Sequence, residues 1–337
     1  MSRKIAAKKS LKVDSNLLNS EMISFGRYID EDKRKSLHIR TPFGYFGSKQ
    51  RLASRIAALL PPHNAWVEAF CGSAAVTLAK KPAPIEIIND YDGQIFNFFK
   101  QLREHPNELC RAIELTPYAR HEYESTKTID ESLSPLEQAR RFLVASMMTV
   151  NGAFGSNHSG RNHSGFSYSQ SYSRNGLEAR VSRWNSLPLR LEKVIQRLKN
   201  ARIENRNAID LLKMFIDRPA TLVYLDPPYL TDRDHGYLLD TNDEAFHKEL
   251  LDLCCRARCM VLISSYDNEL YSSVLTTKRG WKRKKIKTHT RDTKGKNYSR
   301  TEILWKNKFF VKAGQEKKVP ILLTKEEKKQ NKINPAR

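Results

Sequence analysis

The tetrapeptide Asp226-Pro227-Pro228-Tyr229 contains the residue types best suited to chemistry in this sequence. It follows the apolar run Thr221–Leu225, and ligands of α/β proteins bind at the carboxyl ends of such strands. The Asp226 carboxylate and a backbone carbonyl could accept both N–H hydrogens of an exocyclic nucleobase amine and make its nitrogen more nucleophilic. The prolines fix the backbone and have no N–H, and the Tyr229 ring could stack on a base that has left the helix. We therefore predict that Asp226, Pro227, Pro228 and Tyr229 are catalytic; an ordinary Pro-Pro turn is the alternative.

A second motif, Val67–Ala74, contains the small-residue turn Cys71-Gly72-Ser73 between a predicted strand and a predicted helix. Such a turn lets a ligand approach the backbone closely at a helix N-terminus. Asp90 ends the next predicted strand, where an acid would hold the hydroxyls of a ribose. The alternative for Asp90 is a helix N-cap.

Alternating strands and helices around these motifs predict a parallel sheet with crossover helices. The predicted strands are Trp66–Phe70, Ile85–Ile88, Arg202–Glu204, Thr221–Leu225, Met260–Ser264 and Glu302–Trp305. The clearest predicted helices are Arg51–Leu60, Leu136–Val150, Leu187–Lys199, Ala208–Ile216 and 244–258, with others ending at Lys80 and beginning near Gly93. The segment 103–200 interrupts this alternation because it is mainly helical.

Residues 151–183 differ in composition from the rest of that segment. They contain eight serines, five glycines and four arginines, with Glu178 as the only acid, and Asn-His-Ser-Gly occurs twice. A solvated flexible loop is one interpretation. A basic, hydroxyl-rich loop that contacts phosphates and base edges is the other, and the composition does not separate them.

The charge of the chain favours a polyanionic partner. It has 59 Lys and Arg against 37 Asp and Glu, a net charge of +22, which attracts nucleic acid or an anionic membrane surface. No run approaches the roughly 18 to 20 apolar residues of a membrane span. The N-terminus has no apolar signal-peptide core, and five cysteines favour a reducing cytoplasm. Cys254, Cys255 and Cys259 are expected in the core, so no metal site is predicted.

Both ends of the chain are predicted to lie outside the folded part. Residues 1–40 are interpreted as a basic, flexible arm. Residues 278–337 contain 21 basic and 5 acidic residues. The part before about 312 is expected to belong to the fold, and 313–337 is predicted to be a basic disordered tail.

Four motifs in their order along the chain resemble the Dam-like, alpha-arrangement class of DNA N6-adenine methyltransferases: Tyr45–Lys49, Glu68–Ser73, Asn89-Asp90 and Asp226–Tyr229. The resemblance covers roughly residues 41–310. The resemblance implies an α/β fold: a Rossmann-like, S-adenosylmethionine-dependent methyltransferase sheet with a helical target-recognition insert. The catalytic domain would comprise 41–102 with 201–312, and the insert 103–200. Ser more often replaces Asp226 in cytosine-N4 enzymes.

The resemblance also implies roles for individual residues. Tyr45 and Lys49 would lie beside the methyl donor, Asp90 on its ribose and Asp226 at the amine of a flipped adenine. The full predicted cofactor-binding set is Tyr45, Phe46, Lys49, Glu68, Phe70, Cys71, Gly72, Ser73, Asp90, Asn207 and Asp226. The predicted DNA-binding set is Asn151, Ser156, Arg161, Arg174, Lys284, Lys294 and Lys296.

Three positions depart from the family pattern. Asn207 stands where the family often has an acid, and Asp92 replaces a common Asn. The central loop has Asn151–Gly155 in place of the usual Asn-Arg-x-Gly-x-Asn-Gly string. Sequence specificity is therefore not transferred from the family.

The function expected from the sequence is site-specific adenine-N6 methylation of double-stranded DNA with S-adenosylmethionine, in the cytoplasm of a bacterial or phage-infected cell. A cognate restriction enzyme is a further candidate partner, and the oligomeric state is left open. An RNA adenine-N6 methyltransferase is one alternative. A catalytically dead DNA-binding homologue, acting as a regulator or a restriction blocker, is the other.

Overall fold

The computed structural model describes residues 39–45, 47–150, 165–174, 176–230, 244–291 and 297–321. The predicted arm falls outside these ranges except for its last two residues, and so does the predicted tail from 322 onward. Six predicted site residues also lie outside the described residues: Phe46, Asn151, Ser156, Arg161, Lys294 and Lys296.

A seven-stranded mixed sheet organises the described part of the chain. The strands are β1 (Ala65–Glu68), β2 (Ile85–Asn89), β3 (Ser173–Arg174), β4 (Leu177–Glu178), β5 (Ala201–Glu204), β6 (Thr221–Leu225), β7 (Met260–Ser265), β8 (Lys282–Arg291) and β9 (Asn297–Lys306). β3 and β4 form a separate hairpin, and the others follow the order β5-β2-β1-β6-β7-β9-β8. The first five are parallel, whereas β9 is antiparallel to β7 and to β8. The predicted α/β fold with a mostly parallel, Rossmann-like sheet is confirmed.

Helices cover both faces of this sheet. They are α1 (Ala53–Ala57), α2 (Ala75–Ala79), α3 (Gly93–Glu104), α4 (Pro106–Leu115), α5 (Arg120–Glu124), α6 (Pro135–Met148), α7 (Ala179–Asn185), α8 (Leu187–Leu198), α9 (Ala208–Phe215), α10 (Glu244–Arg256), α11 (Glu269–Val274) and α12 (Lys308–Glu316). Side chains of a strand alternate between the faces. Val223 therefore packs with α9, α10 and α11, while its neighbour Tyr224 packs with α1, α2 and α12. Strands buried on both faces explain the continuous apolar runs in the sequence.

The register of the central strands aligns the ends that carry the motifs. Glu68 pairs with Ile88 of β2 on one side and with Tyr224 of β6 on the other. The segments that follow β1, β2 and β6 therefore leave the sheet at one edge. From β1 the chain first adds β2 on one side of β1 and later adds β6 on the opposite side. In α/β sheets, such a reversal of strand order leaves a crevice in which ligands bind.

The helices of the predicted insert share a core with the sheet. Phe142 of α6 and Leu191 of α8 belong to the same buried cluster as Phe98 of α3 and Ile88 of β2. The predicted boundary at residue 103 falls inside α3. The described part of 103–200 is therefore a layer continuous with the catalytic sheet, and its role in target recognition stays a prediction.

The folded chain continues past the predicted start of the C-terminal tail. Asn307 caps α12 by accepting a hydrogen bond from the Phe310 N–H at 2.9 Å. Phe310 and Ala313 are buried against the sheet. The prediction that disorder begins at 313 is wrong for 313–316, because α12 extends to Glu316. The density of lysines concealed the spacing of these two apolar residues.

Candidate active site

A cavity opens at the edge of the sheet where β1, β2 and β6 end. It brings together all of the predicted cofactor-binding residues that the structure describes, and it also contains Pro228. Its walls are Tyr45, Gly47, Ser48, Lys49, Glu68, Phe70, Cys71, Gly72, Ser73, Ala75, Asp90, Tyr91, Asp92, Asn207, Ala208, Asp226, Pro228 and Phe246. Two predicted DNA-binding residues in the described ranges, Arg174 on β3 and Lys284 on β8, are exposed and do not line it.

The turn after β1 brings bare backbone to the cavity wall. Gly72 has a φ of +47°, in the left-handed region that favours glycine. A Cβ added there would lie 3.2 Å from Cδ1 of Tyr45. The turn is tied to the neighbouring strand because the Cys71 N–H donates to the Asn89 carbonyl at 2.8 Å. A side chain at position 72 would therefore press on the Tyr45 ring.

Asp90 holds this turn against the end of β2. Its Oδ2 accepts the Gly72 N–H at 2.7 Å, and its Oδ1 accepts the Asp92 N–H at 3.0 Å. Burial raises the pKa of Asp90 to about 7, against the opposing effect of these N–H donors. The N-cap of α3 is Asp92, whose carboxylate accepts the Gln94 N–H, so the alternative of Asp90 as the cap is wrong.

Glu68, at the end of β1, is a second buried acid in the wall. Its Oε2 accepts the Thr77 N–H at 2.9 Å and also the Thr77 hydroxyl. The Thr77 hydroxyl in turn accepts the Trp66 indole N–H at 2.7 Å. Burial raises the pKa of Glu68 to about 7. This network fixes the carboxyl group in one orientation at the cavity wall.

Asp226 is paired with a cation at the end of β6. Its Oδ2 lies 2.8 Å from the Lys49 ammonium, and its Oδ1 accepts the Tyr229 hydroxyl at 3.0 Å. Lys49 also donates to the Gly47 carbonyl at 3.1 Å. Burial raises the pKa of Asp226, while the Lys49 charge opposes that shift. The Asp226 side chain is 15% exposed, so it keeps a route to the cavity.

Glu302 completes this cluster and was not predicted as a site residue. It lies on β9, is 3% exposed, and contacts the Tyr229 hydroxyl through Oε1. The same oxygen lies 3.7 Å from the Lys49 ammonium. The Tyr229 ring packs edge-to-face on Tyr266, with 4.6 Å between ring centroids. The signal in the sequence was an acid at the start of the apolar run Ile303–Trp305.

Further wall residues were not predicted as part of the site. The Ser48 and Ser73 hydroxyls are 3.1 Å apart, which links the loop before α1 to the turn after β1. Phe246 of α10 packs edge-to-face on Phe70, with 6.4 Å between centroids. Tyr91 is 56% exposed. These aromatic walls come from distant segments, so local sequence patterns do not group them.

Asn207 has a structural contact that accounts for its residue type. Its side chain caps α9 by accepting the Ile209 N–H at 2.8 Å. It lines the cavity from that position. An amide serves this capping role as an acid would.

The described residues contain neither a membrane-spanning helix nor a cluster of metal ligands. No helix among them is long and apolar enough to cross a membrane. Within the same ranges, no group of three or more His, Cys, Asp or Glu side chains could hold a metal ion. Cys254 and Cys259 are buried in the core, as expected, whereas Cys255 is half-buried and packs against it.

A Rossmann-like sheet with an acid-lined cavity where its strand order reverses is the arrangement in which α/β enzymes bind their ligands. Residues 45–290 match the family model of the D12 class N6 adenine-specific DNA methyltransferases, and the chain belongs to this family. The match confirms the predicted Dam-like class and assigns the chain DNA adenine-N6 methylation as its activity and DNA as its substrate. A search of curated proteins finds no match to the chain.

Proposed function

We propose that this enzyme transfers a methyl group from S-adenosylmethionine to N6 of an adenine flipped out of double-stranded DNA, at a specific short sequence. The observation that carries this proposal is that Asp226 and Asp90 line one cavity. A group that reads a nucleobase amine and a group suited to a ribose thus face the same space. This arrangement supports direct transfer between a bound nucleoside donor and a target base.

The chemistry of the cavity wall fits the methyl donor. Phe70, Tyr91 and Phe246 offer rings to the donor's adenine, and the close backbone at Gly72 leaves room for its ribose. Asp90 and Glu68 offer carboxyl oxygens to hydroxyl and ammonium hydrogens. When bound, S-adenosylmethionine supplies a methyl group that its positively charged sulfur has already activated.

Asp226 is the group proposed to act on the adenine amine. An ionised carboxylate accepts one N6 hydrogen, which leaves the nitrogen lone pair more available for attack. The nearby Lys49 ammonium favours the ionised form of Asp226. The N6 proton lost during or after transfer passes to Asp226 or to water.

Aromatic rings next to Asp226 and basic side chains on β8 are suited to a flipped base and to the DNA backbone. Pro228 is part of the cavity wall, and the adjoining Tyr229–Tyr266 pair offers an aromatic surface for stacking. Strand β8 begins with an exposed basic stretch that consists of Lys282, Arg283, Lys284 and Lys285. Such side chains contribute sequence-independent attraction to phosphates.

A labelled methyl transfer assay tests the proposal. Purified protein receives S-adenosylmethionine labelled on its methyl group, with unmethylated duplex DNA or an RNA transcript of the same sequence as acceptor. We expect label in the DNA, recovered as N6-methyladenine, and none with Asp226→Ala. Equal or greater label in RNA would overturn the choice of duplex DNA, and full transfer by Asp226→Ala would overturn the role of that residue.

A further inference from the structure

The hydroxyl of Tyr229 lies between two carboxyl groups from different strands. On one side it is 3.0 Å from Oδ1 of Asp226, which follows β6. On the other side it contacts Oε1 of Glu302, which lies within β9. Three oxygens, Asp226 Oδ1, Tyr229 Oη and Glu302 Oε1, therefore form a chain with two contacts.

Two oxygen–oxygen contacts need two hydrogens, and the phenol provides one. Burial and the two acids raise the pKa of Tyr229 well above its usual value, so Tyr229 keeps its hydrogen. Tyr229 can donate that hydrogen to only one of the two acids. With both acids ionised, the remaining contact would join two acceptor oxygens and be repulsive. One of the two acids must therefore supply the second hydrogen.

The position of Lys49 indicates which acid is ionised. Its ammonium lies 2.8 Å from Asp226 and 3.7 Å from Glu302. The closer contact favours the negative charge on Asp226. A neutral Glu302 also leaves the buried cluster with one cation and one anion, which avoids an unpaired buried charge.

Among the side chains that the structure describes, the elements packed against Glu302 place no cation closer to it than Lys49. On β8, the residue opposite is Ile286, flanked by the exposed Lys285 and Lys287. The partner strand β7 contributes Ser264 and Ser265, which pair with the two residues that follow Glu302. β6 contributes the Tyr224 hydroxyl, which is bonded to Ser264 at 2.8 Å.

We propose that Glu302 is a positioning residue that carries a proton in the free enzyme and turns the Tyr229 hydroxyl toward Asp226, so that Asp226 stays ionised and oriented for the adenine amine. The inference rests on the proposed role of Asp226. Burial raises the pKa of Glu302, the Asp226 charge adds to this shift, and Lys49 opposes it. Glu302 itself does not touch the substrate in this account.

Two substitutions separate a protonated Glu302 from an ionised one. Glu302→Gln keeps an N–H donor toward Tyr229 and resembles the protonated acid, whereas Glu302→Ala removes the contact. We expect Glu302→Ala to lower kcat about 10- to 100-fold, the loss associated with a hydrogen bond to a charged group, with little change in the donor's KM. Glu302→Gln should restore most of the rate. The wild-type rate should fall in the alkaline range as Glu302 loses its proton, and the Gln variant should keep its rate there.

Infrared spectroscopy reads the proton without requiring activity. A protonated carboxyl has a carbonyl band that a carboxylate lacks, and the wild-type minus Glu302→Gln difference at pH 8 should contain it. Glu86→Gln is the matched control, because Glu86 is also buried but is paired with Lys80 at 2.6 Å and with Arg197 at 2.5 Å. Its difference spectrum should show loss of a carboxylate instead.

Each result assigns or overturns the proton. The proposal would be overturned if Glu302→Gln lost a carboxylate band. It would also be overturned if Glu302→Gln were as slow as a folded Glu302→Ala protein. In either case Glu302 would act as an anion. A protonated band together with no methylation by the wild type would leave the proton on Glu302 and reject the proposed function instead.

Discussion

The Lys49 ammonium and the Asp226 carboxylate form a largely buried ion pair, 2.8 Å apart, at the wall of the cavity. Lys49 lies in the segment before α1, and Asp226 follows β6. The pair therefore joins the segment before α1 to the end of the central strand β6, where the Asp226–Tyr229 motif begins. Burial raises the pKa of the Asp226 carboxyl, and the Lys49 charge opposes that rise.

Removing Lys49 should move the acidic limb of the pH profile. In Lys49→Met, the pKa of Asp226 rises further because burial is no longer opposed by the cation. Since the proposed active form of Asp226 is the ionised one, transfer at neutral pH should fall by at least about tenfold and recover in part at higher pH. Methyl transfer rates from pH 5 to 9 measure this. Lys81→Met, at an exposed lysine, is the control, and an unshifted limb in Lys49→Met would refute the role of the ion pair.

Gly72→Ala should weaken binding of the methyl donor. The new Cβ would lie 3.2 Å from the Tyr45 ring, and position 72 has a positive φ. Gly176→Ala is a matched control, because Gly176 has a φ of +73° but nothing within 4 Å of an added Cβ. Both should lose about 1–2 kcal/mol of stability from backbone strain. Calorimetric titration with S-adenosylmethionine should give reduced affinity for Gly72→Ala alone; equal affinities would argue against a donor site at this turn.

Glu68 should make the folded state less stable as pH rises. Its pKa is about 7 in the fold against an ordinary value of 4.5, so the unfolded chain releases its proton first and the free energy of unfolding falls between these values. From pH 5 to 8 this contribution falls by about 2–3 kcal/mol. Urea unfolding at both pH values should show that Glu68→Gln loses less stability than the wild type over this range.

Glu86→Gln is the contrasting variant for that measurement. Lys80 and Arg197 hold the pKa of Glu86 below its usual value, outweighing burial. The stability it contributes is present above the ordinary pKa and lost as pH falls through the lowered one. Glu86→Gln should therefore be destabilised by a similar amount at pH 5 and pH 8. A Glu68→Gln variant with the same pH dependence as the wild type would contradict the assignment of a neutral Glu68.

Lys284 should contribute to DNA affinity without contributing to specificity. It is exposed on β8, and a lysine that contacts one phosphate changes the slope of log affinity against log salt by about 0.9. Lys284→Ala should lower that slope and weaken binding to all duplex sequences alike. Lys193→Ala, at an exposed lysine on α8, is the control. Equal slopes for both variants and the wild type would remove Lys284 from the DNA-binding surface.

The central strands and the motif positions could be predicted because their signals are local. Thr221–Leu225 is an uninterrupted apolar run followed by Asp226, and the strand β6 has the same bounds as the predicted one. The turn at Gly72 and the acid at Asp90 likewise follow directly from the ends of strands. Parallel pairing then brings these ends together without further information from the sequence.

The residues that could not be predicted depend on pairing between distant segments. Glu302 reaches Tyr229 because β9 runs antiparallel beside β7. β8 was not predicted as a strand, since of the five residues Lys284–Thr288 only Ile286 is buried and its neighbours are charged or polar. Charge density concealed α12 in the same way. Long-range register and solvent-exposed strands leave weak patterns in a single sequence.

We propose that this chain methylates adenine N6 through Asp226. The most direct measurement is modification-sensitive sequencing of a plasmid recovered from cells that lack adenine methylation and express either the wild type or Asp226→Ala. We predict N6-methyladenine at one short sequence throughout the wild-type plasmid and none with the variant, which should still bind S-adenosylmethionine within about tenfold of the wild-type affinity. An unmodified plasmid would contradict this role of the chain if the cells contain folded wild-type protein that binds the donor. Equal methylation with the wild type and Asp226→Ala would contradict the role of Asp226.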